Sequence, residues 1–161
     1  LRTNNTMEVF FYGLFMNLNI LSEQGITYSN PRKAILNDYA LKIGNRASLI
    51  PSLNEKAYGI VMTVVQGEMS KLYSEESVAD YVPEEVKVNT ELNETINVTC
   101  YNLPEEMLSG SNEAYALSLY DLAKELEFPI EYLAKIERWK KNKYRNAINT
   151  KFNLSSTKFH I

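Results

Sequence analysis

The sequence predicts an α+β fold, and three observations carry that prediction. Val9-Phe10-Phe11-Tyr12 is a bulky apolar run with the aromatic and β-branched content of a buried strand, and it halts at Gly13. Tyr58 to Val65 is apolar on both faces, which suits a strand in the middle of a sheet or barrel wall covered on both sides. Later the period changes: Tyr115, Leu119, Leu122 and Leu126 fall at i, i+4, i+7 and i+11, and Ile130, Leu133, Ile136 and Trp139 keep one helical face apolar.

Taken in chain order, the pattern places strands near residues 8–12, 33–43, 46–50, 57–65, 85–91 and 95–101, and helices near 17–24, 68–74, 111–127 and 130–142. Gly13 ends the first strand because it alone can bend the backbone or admit close approach without steric cost. Met69, Leu72 and Tyr73 form the apolar stripe of a short amphipathic helix. In Ile96-Asn97-Val98-Thr99-Cys100, alternation puts Ile96, Val98 and Cys100 on one face. Pro129 suits the first turn of the last helix. Beyond Lys143 the apolar spacing fades into Asn, Ser, Thr and Lys. We therefore expect one domain over residues 7–142, a leader over 1–6, and a tail or packing arm over 143–161.

Composition narrows the function. At 161 residues, 45% hydrophobic and 23% charged, the chain can bury a core of its own. A net charge of −3 argues against a dedicated nucleic-acid partner. Lys135, Arg138, Lys140, Lys141, Lys143 and Arg145, answered in sequence by Glu137, read as a solvated helix face. No apolar run approaches the roughly 20 residues that span a bilayer, and the start lacks a signal-peptide pattern, so no membrane partner is expected. A single cysteine, Cys100, excludes an intrachain disulfide and fits a reducing cytoplasm; on its alternating strand it reads as a core thiol. The Asn93-Glu94-Thr95 and Asn97-Val98-Thr99 sequons are then chance matches.

Mechanistic classes fall away in the same manner. With one histidine, His160, and one cysteine, the chain offers neither a Ser-His-Asp nor a Cys-His arrangement, and no metal-ligand spacing. The six glycines are dispersed, so no phosphate loop or Gly-x-Gly-x-x-Gly is present. Proton transfer would then rest on a carboxylate. The candidates are in Ser74-Glu75-Glu76-Ser77, which by itself also reads as a polar helix end with solvated acids.

The order of several segments adds a resemblance. Tyr12-Gly13-Leu14-Phe15-Met16, Ala34-Ile35-Leu36-Asn37-Asp38-Tyr39-Ala40-Leu41, Arg46-Ala47-Ser48-Leu49-Ile50-Pro51, Ala57-Tyr58-Gly59-Ile60-Val61, the Met69–Glu76 helix with its acids, Tyr81 followed by Val86-Lys87-Val88, and Tyr115 through Phe128-Pro129-Ile130-Glu131-Tyr132-Leu133 follow one another from about Glu8 to Trp139. In that order they resemble the γ-glutamylcyclotransferase-like (AIG2-like) family. The resemblance implies a small mixed β-barrel with flanking helices and a cofactor-free reaction in which the α-amine of a γ-glutamyl compound attacks its own γ-carbonyl, forming 5-oxoproline.

It also implies site residues. Counting from Leu72, the family's catalytic glutamate aligns with Glu76, and a one-residue shift selects Glu75. Such a glutamate would sit partly desolvated in an apolar pocket, which suits proton transfer near neutrality. Backbone N–H groups of Gly13, Leu14 and Phe15 would hold the substrate carboxylate or the developing oxyanion. Tyr12, Tyr81 and Tyr115 would stand near the substrate, although Tyr115 also lies on the core stripe of its helix. Leu14-Phe15 departs from the small or polar residues usual after Tyr-Gly in the family, and Phe15 would narrow the pocket. The same scaffold without catalysis would be a small-ligand or partner-binding module.

Overall fold

The computed structural model describes residues 5–150, with side chains through residue 140. Residues 1–4 and 151–161, among them His160 and most of the expected tail, lie outside the described residues. Five strands, β1 (Thr6–Phe11), β2 (Tyr28–Ile43), β3 (Ala47–Val65), β4 (Val82–Thr90) and β5 (Thr95–Asn102), close in the order β1-β3-β2-β4-β5. Four of the five pairings are antiparallel, and closure comes from a parallel pairing of β1 with β5 at Val9 and Thr99. This is the mixed barrel, with helices α1 (Leu18–Glu23), α2 (Gln66–Leu72), α3 (Glu113–Glu125) and α4 (Ile130–Thr150) around it.

Alternation along β1 explains why the whole Val9–Tyr12 run is apolar. Phe10 and Tyr12 point into the barrel with Leu36, Val61, Val88 and Cys100. Val9 and Phe11 point outward, where Leu21, Met69, Leu119 and Ile136 of the helices cover them together with Ile60, Met62 and Val64 of β3. Both faces are buried, as the sequence of Tyr58 to Val65 requires. Gly59 lets the walls approach: a Cβ there would collide with the Phe11 carbonyl oxygen and the Phe10 ring.

The structure differs from the sequence expectation in several places. The expected strands at 46–50 and 57–65 are one strand, because Pro51 and Lys56 pair with Tyr39 and Asn37 of β2 and the residues between them bulge opposite Asp38. There Asp38 and Asn54 adopt φ of 64° and 68°, and the Asn54 N–H donates to Asp38 Oδ1 at 2.9 Å. Asn and Asp tolerate that left-handed backbone, so residues that read as a loop form a kink inside a long ribbon. β1 begins at Thr6, which pairs with Val65, one residue inside the expected leader. α4 runs past residue 142 to Thr150. Of its expected apolar face, Leu133, Ile136 and Trp139 pack on the core, where Tyr132 joins them, whereas Ile130 is 80% exposed. The basic run on α4 is tied back to the barrel by Lys135 Nζ on Glu55 at 2.5 Å, and Lys140 lies 4.0 Å over the Tyr120 ring. Among the described residues no helix is long and apolar enough to cross a membrane.

Candidate functional site

At the end of β1 the chain leaves the barrel through Tyr12 and Gly13, makes a short 3₁₀ turn over Leu14–Met16, and enters α1 at Asn17. The Asn17 side chain accepts from the N–H groups of Asn19 and Ile20, and the Met16 and Asn17 N–H groups donate back to Gly13 and Leu14 carbonyls. This pins the loop. Gly13 has a φ of −115°, so the glycine serves close approach and not a left-handed bend. What approaches is Tyr115: a Cβ on Gly13 would collide with its hydroxyl. Tyr115 is in turn set by the start of α3, where its N–H donates to the capping Asn112 Oδ1 at 3.0 Å.

Around this loop lies a cavity of about 30 Å³ lined by residues of β1, by Tyr12, Gly13, Leu14 and Phe15, by Ala47, and by Tyr73, Tyr81, Tyr101 and Tyr115. Tyr12, Gly13, Leu14, Phe15, Tyr81 and Tyr115, scattered over a hundred residues of sequence, thus face one space. The space holds about two waters, so a larger ligand enters only as the lining shifts. Tyr73, Tyr101 and Ala47 were not singled out in the sequence. Tyr73 reads there as the end of a core stripe, and Tyr101 joins the site only because β5 closes against β1, a pairing no local spacing reveals.

None of the lining residues carries a charge. The Tyr12 hydroxyl donates to the Tyr101 carbonyl at 2.7 Å and that of Tyr81 to the Ala47 carbonyl at 2.6 Å. Tyr73 stacks on Tyr101 with centroids 4.0 Å apart and planes 6° from parallel. Burial pushes the Tyr12, Tyr73 and Tyr115 phenols well above their usual range, a hydrogen bond with the Leu14 backbone opposing it at Tyr115. Burial likewise raises Tyr81 to about 12, against the opposing pull of Arg46. At neutral pH these hydroxyls are neutral dipoles in a water-poor space, unable to act as bases, and those of Tyr12 and Tyr81 are already committed as donors to backbone carbonyls.

Glu75 and Glu76 lie elsewhere. They occupy the turn between α2 and β4, and both are exposed to solvent, outside the cavity lining. The reason is local: the turn is anchored by buried Leu72, Val78 and Tyr81, and Ser74 through Ser77 between those anchors face out. Its backbone is closed by the Glu75 N–H on the Leu72 carbonyl and the Val78 N–H on the Glu75 carbonyl. The apolar surroundings expected for the acid are absent from both positions, yet the turn begins beside Tyr73 and ends at Tyr81, two lining residues. Cys100 sits inside the barrel with its thiol pushed up by burial, an inert core group. A roomier recess between β2, β3 and α4, lined in part by Lys42, Lys56, Lys135 and Arg138, shares no residue with the tyrosine cavity.

Comparison with known proteins places this arrangement. A family model described as "Gamma-glutamyl cyclotransferase, AIG2-like" matches residues 9–122, well over half the chain. The chain belongs to that family. Among solved structures, one described as "Gamma-glutamyl cyclotransferase" superposes with a TM-score of 0.67 at 21% identity, covering 83% of this chain and 87% of its own. An uncharacterized human protein, loc79017, gives 0.67 at 22% identity over 82% of this chain and 86% of that one. YkqA from Bacillus subtilis gives 0.69 at 19% identity, over 85% of this chain and 55% of that one. At such identities the likeness speaks for the fold. No curated protein sequence gives a significant match.

Proposed function

We propose that this family member is a γ-glutamylcyclotransferase that releases 5-oxoproline from a γ-glutamyl amino acid, amine or peptide. The observation that carries the reading is the convergence of Tyr12, the Gly13-Leu14-Phe15 loop, Tyr81 and Tyr115 on one uncharged cavity. In the reaction the substrate's α-amine nitrogen bonds to its own γ-carbonyl carbon, the carbon–nitrogen bond to the leaving amine breaks, and the proton lost by the attacking nitrogen ends on the leaving nitrogen. No water, oxidant or cofactor enters. Folding one bound molecule so that amine and carbonyl touch removes the entropic cost of an encounter. Backbone N–H groups of the Gly13 loop supply donors for the oxyanion, while Tyr12 and Tyr81, whose protons go to the Tyr101 and Ala47 carbonyls, shape the space around it. The proton carrier is Glu76 or Glu75, brought to the cavity mouth by movement of the turn that Tyr73 and Tyr81 flank. We place this work in a reducing cytoplasm, where the buried Cys100 thiol needs no partner.

A second reading has its own support: with both acids in solvent and no carboxylate in the lining, the cavity suits a catalytically silent module that binds a small ligand or a partner. Release of 5-oxoproline from γ-glutamyl dipeptides, γ-glutamyl amines and glutathione, measured for the parent protein and its Glu75→Gln and Glu76→Gln variants, separates the two. Turnover abolished in one variant and kept in the other establishes the enzyme and names its acid/base. Absence of product from every substrate, with the protein folded, selects the binding module.

A further inference from the structure

One cation beside the cavity is left unused by the reaction scheme. Arg46 immediately precedes Ala47, and its guanidinium carbon stands 5.8 Å from the centroid of the Tyr81 ring; Ala47 and Tyr81 both line the cavity. The side chain is 13% exposed, an uncommon degree of burial for arginine. Its ion partner is poor: Nη2 lies 3.4 Å from Asp80 Oδ2, and the Asp80 side chain is 54% exposed. A guanidinium presents five N–H donors in a fork matched to a carboxylate, and a single long contact to a solvated acid leaves most of that capacity open. The guanidinium stays outside the lining, beside a cavity too small for a whole γ-glutamyl amino acid. A γ-glutamyl compound whose reacting carbonyl enters the cavity therefore leaves part of itself at this rim.

We propose that Arg46 reads a carboxylate on the leaving group, so that the site favours γ-glutamyl amino acids over γ-glutamyl amines. This rests on the cyclotransferase reading above. Asp80 is the group the substrate carboxylate displaces, and the Tyr81 ring holds the guanidinium in place through its face. Lysine would keep the charge and lose the fork.

The test compares γ-glutamyl-alanine with γ-glutamyl-ethylamine, which is the same compound without the leaving-group carboxylate. The parent protein is expected to favour the alanine compound by about tenfold in kcat/KM, mostly through KM. In Arg46→Gln the ratio of the two kcat/KM values falls towards one, and Arg46→Lys restores part of it. Equal use of the two compounds by the parent, or an undiminished preference in Arg46→Gln, overturns the proposal. Calorimetric binding of both compounds separates this from failure of the enzyme reading. If neither is turned over, that reading falls. Arg46 recognition then stands only if the alanine compound binds more tightly and the difference disappears in folded Arg46→Gln; equal binding, or none, overturns it. Should Arg46→Gln fail to fold, the comparison is made with Arg46→Lys, in which an unreduced preference overturns the proposal and a reduced one upholds it.

Discussion

The hydroxyl of Tyr115 stands where a side chain on Gly13 would have to stand, which couples the ligand loop to α3 through one atom. Gly13→Ala should therefore destabilise the fold by about 1–3 kcal/mol through overpacking. With the hydroxyl removed, the next nearest atom is the Tyr115 Cζ at 3.7 Å, an ordinary contact. The Gly13→Ala/Tyr115→Phe double variant should recover most of the loss, and urea unfolding of the four proteins in a double-mutant cycle measures it. Strict additivity would show that the loop and the helix are not coupled there.

Much of this was legible in the sequence, and the parts that were not share a cause. Val9–Tyr12, Tyr58–Val65 and the α3 stripe carry their burial in their own periodicity, so the strands and helices could be placed locally. Residues 51–56 fall between the strands expected at 46–50 and 57–65, and only the β2 partners of Pro51 and Lys56 make that stretch part of a ribbon. The convergence of Tyr73 and Tyr101 depends on closure of β5 onto β1, a nonlocal event. The exposure of Glu75 and Glu76 follows from which neighbours anchor the turn, Leu72, Val78 and Tyr81, and adjacency to an apolar stripe does not decide that.

Alkaline pH should destabilise the protein through its tyrosines. Burial first, against the opposing effects of Arg46 and the Ala47 backbone, raises Tyr81 to about 12 from 10.0. The folded state thus keeps a proton that the unfolded state releases above its own value. The unfolded state binds fewer protons there, so stability is unaffected below the ordinary phenol range and declines as pH rises through it towards the folded value. Tyr81 alone should remove about 3 kcal/mol across that interval. Urea midpoints between pH 8 and about 11, with Tyr81→Phe as comparison, should show a shallower decline in the variant.

A second stress point is Asn102, buried at the end of β5. Its Oδ1 accepts from the Leu49 N–H at 3.2 Å and the Ser48 hydroxyl at 3.4 Å, and its Nδ2 donates to Glu84 Oε1 at 2.6 Å. Asn102→Ala strands a buried N–H and a partly buried carboxylate, and should cost about 3 kcal/mol. Asn102→Asp keeps the shape but sets two carboxylates together, so its deficit should shrink as the pH is lowered to about 4 and one of them takes a proton. An equal deficit at both pH values would place Glu84 outside the network.

Phe15 tests whether the cavity is the ligand site at all. Its ring lines the cavity, is 5% exposed, and meets Phe11 edge to face with centroids 6.2 Å apart. Phe15→Ala should lower stability by about 3–5 kcal/mol, because the ring's contacts are lost and the loop is pinned on both sides against collapse. It should also make room. If 5-oxoproline binds in this cavity, adding it should raise the thermal midpoint of Phe15→Ala more than that of the parent, since the ring no longer has to be displaced for entry and stabilisation by a ligand follows its affinity for the folded state. If the ligand binds elsewhere, removing Phe15 leaves that affinity untouched and both proteins gain alike. Two readouts from one variant, unfolding in urea and the ligand-dependent midpoint, thus separate the packing role of Phe15 from its place in the site.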